Sequence, residues 1–454
     1  MNNSHKMQLV KTCNRKVLYS ISGIYFALML LLITPANGML TIEEAATTAV
    51  ENNFSIQIAE KETEIAESDF SRGHAGFWPT LSLQAGQDLE FSDSRQEFAD
   101  ESIIDEDLAR ATGLNAGVLM EYPLFTGFDR QHHYQSLNHA LAATRGDQKA
   151  AVEDLLLQVT IGFHDIRRLQ KLIEVTENSI EISTDRVQIA ENQYEVGSGS
   201  RMELLQARAD LNEERSLLLQ QEEQLKQQKV QFNELLARPV DTEFEVAEEL
   251  TFRDLSELEE QKQQALQYNP EIQAQQEWRN MSERLIGREK SQRYPQLGLQ
   301  IGYDFGRSTS EAGYVASSRS LGLNVGVNLR MNIFDGFNTS RRIETAELNR
   351  EQQELRLQEQ EQRILAEIEE ARVRYENALT RLELEQENAE VVEENIEVAL
   401  EQYEQGMIIS VELREAQKTL LESQARLRNV EREAKVAEAR LLKLTGQLEE
   451  TFVL

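Results

Sequence analysis

Four segments of the chain alternate apolar and polar residues at every step. Residues 296–305 set Leu297, Leu299, Ile301, Tyr303 and Phe305 against Gln296, Gly298, Gln300, Gly302 and Asp304. Residues 321–333 set Leu321, Leu323, Val325, Val327, Leu329, Met331 and Ile333 against Gly322, Asn324, Gly326, Asn328, Arg330 and Asn332. Earlier, Leu81, Leu83, Ala85, Leu89 and Phe91 carry the pattern, then Leu114, Ala116, Val118, Met120, Tyr122 and Leu124. A period of two predicts two-faced strands, here at 79–91, 113–125, 295–306 and 320–334. A tilted strand needs about 9–11 residues to cross a bilayer, apolar side outward. The polar faces are rich in Gly and Asn, which suits a wet lumen better than a packed interior. A soluble sandwich is the competing reading. Against it, more than a hundred helical residues separate the two pairs, and a lone hairpin is too small to fold by itself.

Elsewhere the period is that of long helices. Residues 341–405 and 407–445 hold no Gly and no Pro. At 1.5 Å per residue these are helices of roughly 100 and 60 Å. The first carries an apolar seam at Ile364, Ile368, Ala371, Tyr375, Ala378, Leu382, Ala389, Val392, Ile396, Ala399 and Tyr403. The second answers with Ala416, Leu420, Ser423, Leu427, Val430, Ala434, Ala437, Leu441 and Leu444. Spacings of four and three pack helix on helix. A matching seam in the first half runs through Ala207, Leu211, Leu218, Leu225, Phe232 and Leu235. The alanines of the second-half seams make them thin, as in helices set side by side in a wall.

The two halves repeat one another. Tyr194-Glu-Val-Gly197 recurs as Tyr403-Glu-Gln-Gly406, an offset of 209 that also matches Leu124–Phe128 to Ile333–Phe337. Upstream the offset is 216, where Trp78-Pro79 matches Tyr294-Pro295. Each half therefore reads as a helix (41–74 or 255–291), two strands, and two long helices, 128–194 and 200–237 in residues 39–245, 337–405 and 407–445 in residues 246–454. Residues 92–112, with seven acidic side chains, and the Ser- and Gly-rich 307–320 read as exposed hairpin loops. Trp78, Tyr122, Phe125, Tyr294 and Phe334 stand at the opposite strand ends, as an interfacial aromatic belt would. Four strands cannot close a barrel and an open edge in lipid is costly, so several copies must pool strands; three copies give twelve.

Composition narrows the class. The formal charge is −32 and only six prolines occur in 454 residues. Such an acidic chain is a poor nucleic-acid binder. Lys6, Lys11, Arg15 and Lys16 precede the apolar run 17–33, and Ala36-Asn37-Gly38 follows, so residues 1–38 read as a signal peptide. A retained membrane anchor is the alternative. Cleavage before Met39 removes Cys13, the only cysteine, as in an exported protein without disulfides.

These motifs resemble those of the TolC family of outer-membrane efflux and export proteins. The resemblance covers essentially the whole chain after residue 38. It rests on the duplicated order, the [Trp/Tyr]-Pro strand starts at 78–79 and 294–295, the strand exits at 124–127 and 333–336, and the Tyr-x-x-Gly turns at 194–197 and 403–406. Family members usually carry a second Gly after the exit motif, where this chain has Phe128 and Phe337. The resemblance implies a mixed α and β membrane protein: a homotrimer whose 12-stranded barrel, four strands per chain, continues into a periplasmic helical coiled-coil barrel. It implies a passive duct of a tripartite efflux or type I secretion system in a Gram-negative-type outer membrane. Its partners would be outer-membrane lipid, a periplasmic adaptor (membrane fusion) protein, and an inner-membrane pump or ABC transporter.

By the same resemblance, Glu412, Glu415 and Glu203 lie at the pore entrance. Tyr194, Gly197, Arg201, Tyr403, Gly406 and Ile408 belong to the periplasmic tips, where closure and adaptor docking occur. Gln206 stands where the repeat places Glu415, and Ile408 where a basic residue often helps close the tip. Rings of carboxylates at a constriction favour cations.

Nothing in the sequence points to catalysis or a cofactor. Phosphate-binding Gly loops and Gly-x-Ser-x-Gly are absent. His74, His132, His133, His139 and His164 lack the Cys or carboxylate partners of a metal site. A periplasmic coiled-coil adaptor or scaffold without a pore is the second reading, and it leaves the four strands without a role.

Overall fold

A computed structural model describes residues 39–246, 250–254, 256–312 and 315–452. The proposed signal peptide lies outside the described residues. The chain divides into two compact units. The first takes residues 162–251 and 388–428 with the start of the chain; the second takes 47–161, 252–387 and 429–454.

The second unit contains a four-stranded antiparallel sheet in the order β2-β3-β5-β6, with β2 at Thr80–Glu97, β3 at Ile103–Phe125, β5 at Gln296–Ser310 and β6 at Ser317–Arg330. Each half contributes one hairpin, and β3 pairs with β5 to join them, with Val118 opposite Tyr303. In the last pair the apolar residues face one another across the ladder, Leu297 to Leu329, Leu299 to Val327 and Ile301 to Val325. No protein covers them: Leu321, Leu323, Val325, Val327 and Leu329 are each more than half exposed. A row of this kind calls for an apolar surrounding, as the lipid face of a transmembrane strand has. On the polar face glycine makes room, since a Cβ at Gly86 would meet the Asn115 amide at 2.6 Å.

Three boundaries differ from expectation. The first hairpin loop is 98–102 and not 92–112. The ladder continues through the acidic stretch because the charges find partners: Asp93 Oδ1 accepts from Leu108 N at 2.8 Å, and Arg95 faces Asp105 at 3.5 Å. In the second hairpin β5 likewise runs on to Ser310 and β6 starts at Ser317, both inside the expected loop 307–320. At the other end β6 stops at Arg330 and not at 334, because its partner β5 starts opposite, at Gln296. Released from the sheet, Asp335 caps the next helix by accepting from Thr339 N at 2.8 Å.

The opening helix of each half is broken in two by an asparagine. In the first half α1 (Ile42–Asn52) gives way to α2 (Phe54–Asp69), and in the second α5 (Leu258–Tyr268) gives way to α6 (Pro270–Ser291). Asn53 and Asn269 cap the second piece, each accepting from main-chain N–H groups, and Pro270 fits the first helical position. Asn269 also donates to the Leu444 carbonyl at 3.0 Å.

The long helices keep the repeat without slippage. Helices α3 (Asp129–Glu195) and α7 (Asn338–Glu404) have 67 residues each, and α4 (Arg201–Leu235) and α8 (Ser410–Leu444) have 35 each. All eleven seam residues of α7 are buried. In the second unit Ile364, Ile368, Ala371 and Tyr375 form one core with Ala437, Leu441 and Leu444. In the first unit Met39–Leu40 (β1) pairs in parallel with Glu245–Val246 (β4), a contact not foreseen in the sequence. A last short helix, α9, spans Leu448–Thr451. Among the described residues, no helix is long and apolar enough to cross a membrane.

Candidate pore entrance

Both Tyr-x-x-Gly turns belong to the first unit, between α3 and α4 and between α7 and α8. Gly197 and Gly406 are left-handed, with φ of +76° and +71°. A Cβ at either would meet nothing within 4 Å, so glycine is required there by backbone conformation and not by space. Backbone bonds from Ser198 to Gln193 and from Met407 to Gln402, at 2.9 and 2.8 Å, close the preceding helix ends.

The helices restart under different caps. In the first turn the Ser200 hydroxyl accepts from Glu203 N at 3.1 Å. The equivalent position of the second turn is Ile409, which has no hydroxyl. There the Glu412 carboxylate reaches back and accepts from Ile409 N at 3.0 Å. A carboxylate three residues into a helix also suits the positive end of its dipole. Glu412 and Glu415 remain exposed and Glu203 is half-buried.

The two turn tyrosines are not equivalent. Tyr194 is 44% exposed, whereas Tyr403 is 3% exposed and packs with Ile396, Ala399 and Leu413. Ile408 packs against the same cluster, an apolar contact where the resemblance suggested a cation. Burial pushes the Tyr403 phenol up; the Ser410 hydroxyl opposes this and the Glu203 carboxylate adds to it. Glu203 of the first half is thus an electrostatic neighbour of Tyr403 of the second. Arg201 is exposed and has no acidic partner among the described residues.

About 16 Å back along α3 from Gly197, a polar cluster replaces the apolar seam. Thr176, Ser179, Ser183 and Arg186 are all buried there. Arg186 donates from Nη2 to Asp210 of α4 at 2.6 Å and from Nη1 to Gln417 of α8 at 3.3 Å. Gln417 donates in turn to Ser183 at 3.2 Å, and Arg414 of α8 lies 3.7 Å from Asp210. Gln206, which takes the place of an acid, donates to Asp210 at 2.8 Å. Sequence reasoning missed this cluster. The available signal was the run of polar residues at 176, 179, 183 and 186, at seam spacing in a helix otherwise built on apolar contacts. Among the described residues no group of three or more His, Cys, Asp or Glu is placed to hold a metal.

The sequence matches the outer membrane efflux protein family over residues 45–238 and 262–447. No curated protein matches it in sequence. Among solved structures, the Campylobacter jejuni CmeC outer membrane channel superposes with a TM-score of 0.77 at 16% identity, over 90% of this chain and 86% of that one. The Vibrio cholerae outer membrane protein VceC gives 0.73 at 17%, over 89% and 96%. The open-state MtrE outer membrane channel of Neisseria gonorrhoeae gives 0.67 at 15%, over 90% and 89%. The fold is shared nearly end to end, and the family match takes in most of both halves. The chain therefore belongs to the outer membrane efflux protein family, as a passive, non-enzymatic channel of the outer membrane.

Proposed function

We propose that three copies of this chain pool their strands into one twelve-stranded barrel, and that Glu203, Glu412 and Glu415 line the periplasmic entrance of the duct. The observation that carries this reading is the placement of Glu412 and Glu415, exposed on the first turns of α8 beside a conformationally fixed turn. Glu203 adds to it, close enough to act on Tyr403. Three symmetric copies of such carboxylates attract cations and repel anions at a constriction. The tip surface supports adaptor docking: Val196, Met202, Met407, Ile409 and Val411 are each more than half exposed. Apolar side chains in such a group mark an interaction surface. The driving energy comes from an inner-membrane pump or ABC transporter joined through the adaptor.

The test is ion conductance of the purified protein in a planar bilayer, for wild type and for Glu412→Gln with Glu415→Gln. Glutamine at 412 still caps the helix, so the fold is spared. A cation-selective conductance whose selectivity falls in the variant supports the entrance. Unchanged selectivity moves the constriction elsewhere, and a folded protein without conductance overturns the open-duct reading.

A further inference from the structure

At the foot of the sheet the second unit turns from strand to helix twice, through Thr126-Gly127-Phe128 and Asp335-Gly336-Phe337. Each turn holds two consecutive left-handed residues. The φ angles are +64° and +70° at Gly127 and Phe128, and +66° and +64° at Gly336 and Phe337. A bulky residue is strained in this region. Within the chain neither ring is buried to offset that strain, since Phe128 is 51% and Phe337 73% exposed. Phe128 has the partly buried Phe125 edge-on at 5.4 Å, and the remaining ring contacts of the two are with other surface aromatics. Phe128 meets Tyr294 edge-on at 6.2 Å, and Phe337 meets Phe334 at 5.5 Å. Tyr294, Phe334 and Trp78 are also more than half exposed. An aromatic collar therefore begins where the apolar rows of the sheet end.

Three exposed arginines flank it. Arg72 accepts at its carbonyl from Phe77 N, next to Trp78; Arg293 precedes Tyr294; Arg341 lies in the first turn of α7, just past Phe337. None has an acidic partner among the described residues, although acids outnumber bases 79 to 47 in the chain. Among the described residues the Arg293 guanidinium donates to the Ser340 hydroxyl, at 3.4 Å. In so acidic a protein, arginines kept clear of carboxylates are available to an outside anion. A guanidinium matches phosphate by paired N–H donors.

We propose that this collar is a binding surface for anionic phospholipids of the periplasmic leaflet. Phe128, Phe337, Tyr294 and Trp78 lodge at the headgroup boundary, and Arg72, Arg293 and Arg341 take the phosphates. Aromatic side chains favour that boundary, and basic residues beside an anionic leaflet are attracted to it. Burial of the rings in lipid offsets the backbone strain at Phe128 and Phe337. The proposal rests on the barrel being set in a bilayer.

The experiment is native mass spectrometry of lipids retained by the purified full-length protein, after exchange into phosphatidylglycerol or phosphatidylcholine, with conductance recorded on the same preparations. Wild type is expected to retain phosphatidylglycerol several-fold better. Arg72→Gln with Arg293→Gln and Arg341→Gln is expected to lose that preference while holding phosphatidylcholine and conductance as before. Replacing the three by lysine is expected to restore part of it. Equal retention of both lipids by wild type, or an undiminished preference in the glutamine variant, overturns the proposal. So does inorganic phosphate displacing phosphatidylglycerol at equal concentration, which would mark a site for a free anion. Absence of conductance with the lipid preference intact would count against the channel reading alone.

Discussion

Arg186 of α3 donates to Asp210 of α4 at 2.6 Å with its own side chain wholly removed from solvent and that of Asp210 12% exposed. Breaking a buried pair costs on the order of 3–5 kcal/mol, and here the low end applies, because Asp210 keeps Gln206 at 2.8 Å and Arg414 at 3.7 Å. Arg186→Leu should therefore lower the thermal midpoint sharply. Arg186→Leu with Asp210→Leu should recover part of the loss, because neither charge is then stranded. A double variant no more stable than the single one would show that the pair is not the coupled unit described here.

Glu153 supplies a pH dependence in the second unit. It is 3% exposed, and burial pushes its carboxyl up to about 7, with hydrogen bonds from the Glu449 and Leu448 N–H groups and the Lys443 ammonium opposing the shift and Glu449 adding to it. The unfolded chain ionises near 4.5, so the folded state holds the extra proton between there and about 7. Stability accordingly falls as pH rises through that window, by on the order of 3 kcal/mol in all. Glu153→Gln should flatten this part of the pH–stability curve and raise the midpoint at pH 8. Melting curves from pH 4 to 8 decide the matter, and an unaltered slope in the variant would count against it.

The turn glycines make a narrower prediction. Gly197→Ala and Gly406→Ala meet no neighbour but must hold a left-handed φ, at a cost of about 1–2 kcal/mol each. Asparagine, which tolerates that conformation, should cost less. Chemical denaturation of the four variants separates conformational strain from crowding, since crowding would make asparagine the worse substitution.

On the sheet, Val325 and Asn324 are neighbours on opposite faces. Val325→Arg puts a charge into lipid, at about 2–4 kcal/mol near the midplane, and should reduce the folded protein recovered from the outer membrane. Asn324→Arg should assemble and shift the ion selectivity. Equal assembly of both would reverse the assigned faces.

Much of this molecule is legible in its periodicities. The strands and the seam of α7 were readable because burial in lipid or against a neighbouring helix imposes one side-chain type at a fixed spacing, and the eleven seam positions are buried as that pattern requires. Strand ends were less readable. Acidic residues such as Asp93 and Asp105 signal solvent, and they do lie in solvent, but as part of a ladder that outruns the apolar pattern.

The entrance was legible only in outline. The repeat located Tyr194 and Tyr403, yet their burial differs because Tyr403 has a pocket formed by Ile396, Ala399 and Leu413. Glu412 read as a pore carboxylate and is also a helix cap, a role it takes because Ile409 stands where the first half has Ser200.

The sequence by itself determined the duplication, the class of each element and the face each presents, since these follow from local periodicity and glycine placement. Tertiary structure decided which strand neighbours which, where the ladders stop, and that Arg186 is enclosed by three helices. Those outcomes depend on partners hundreds of residues away, as Arg186 does on Gln417, and no local pattern carries information about them.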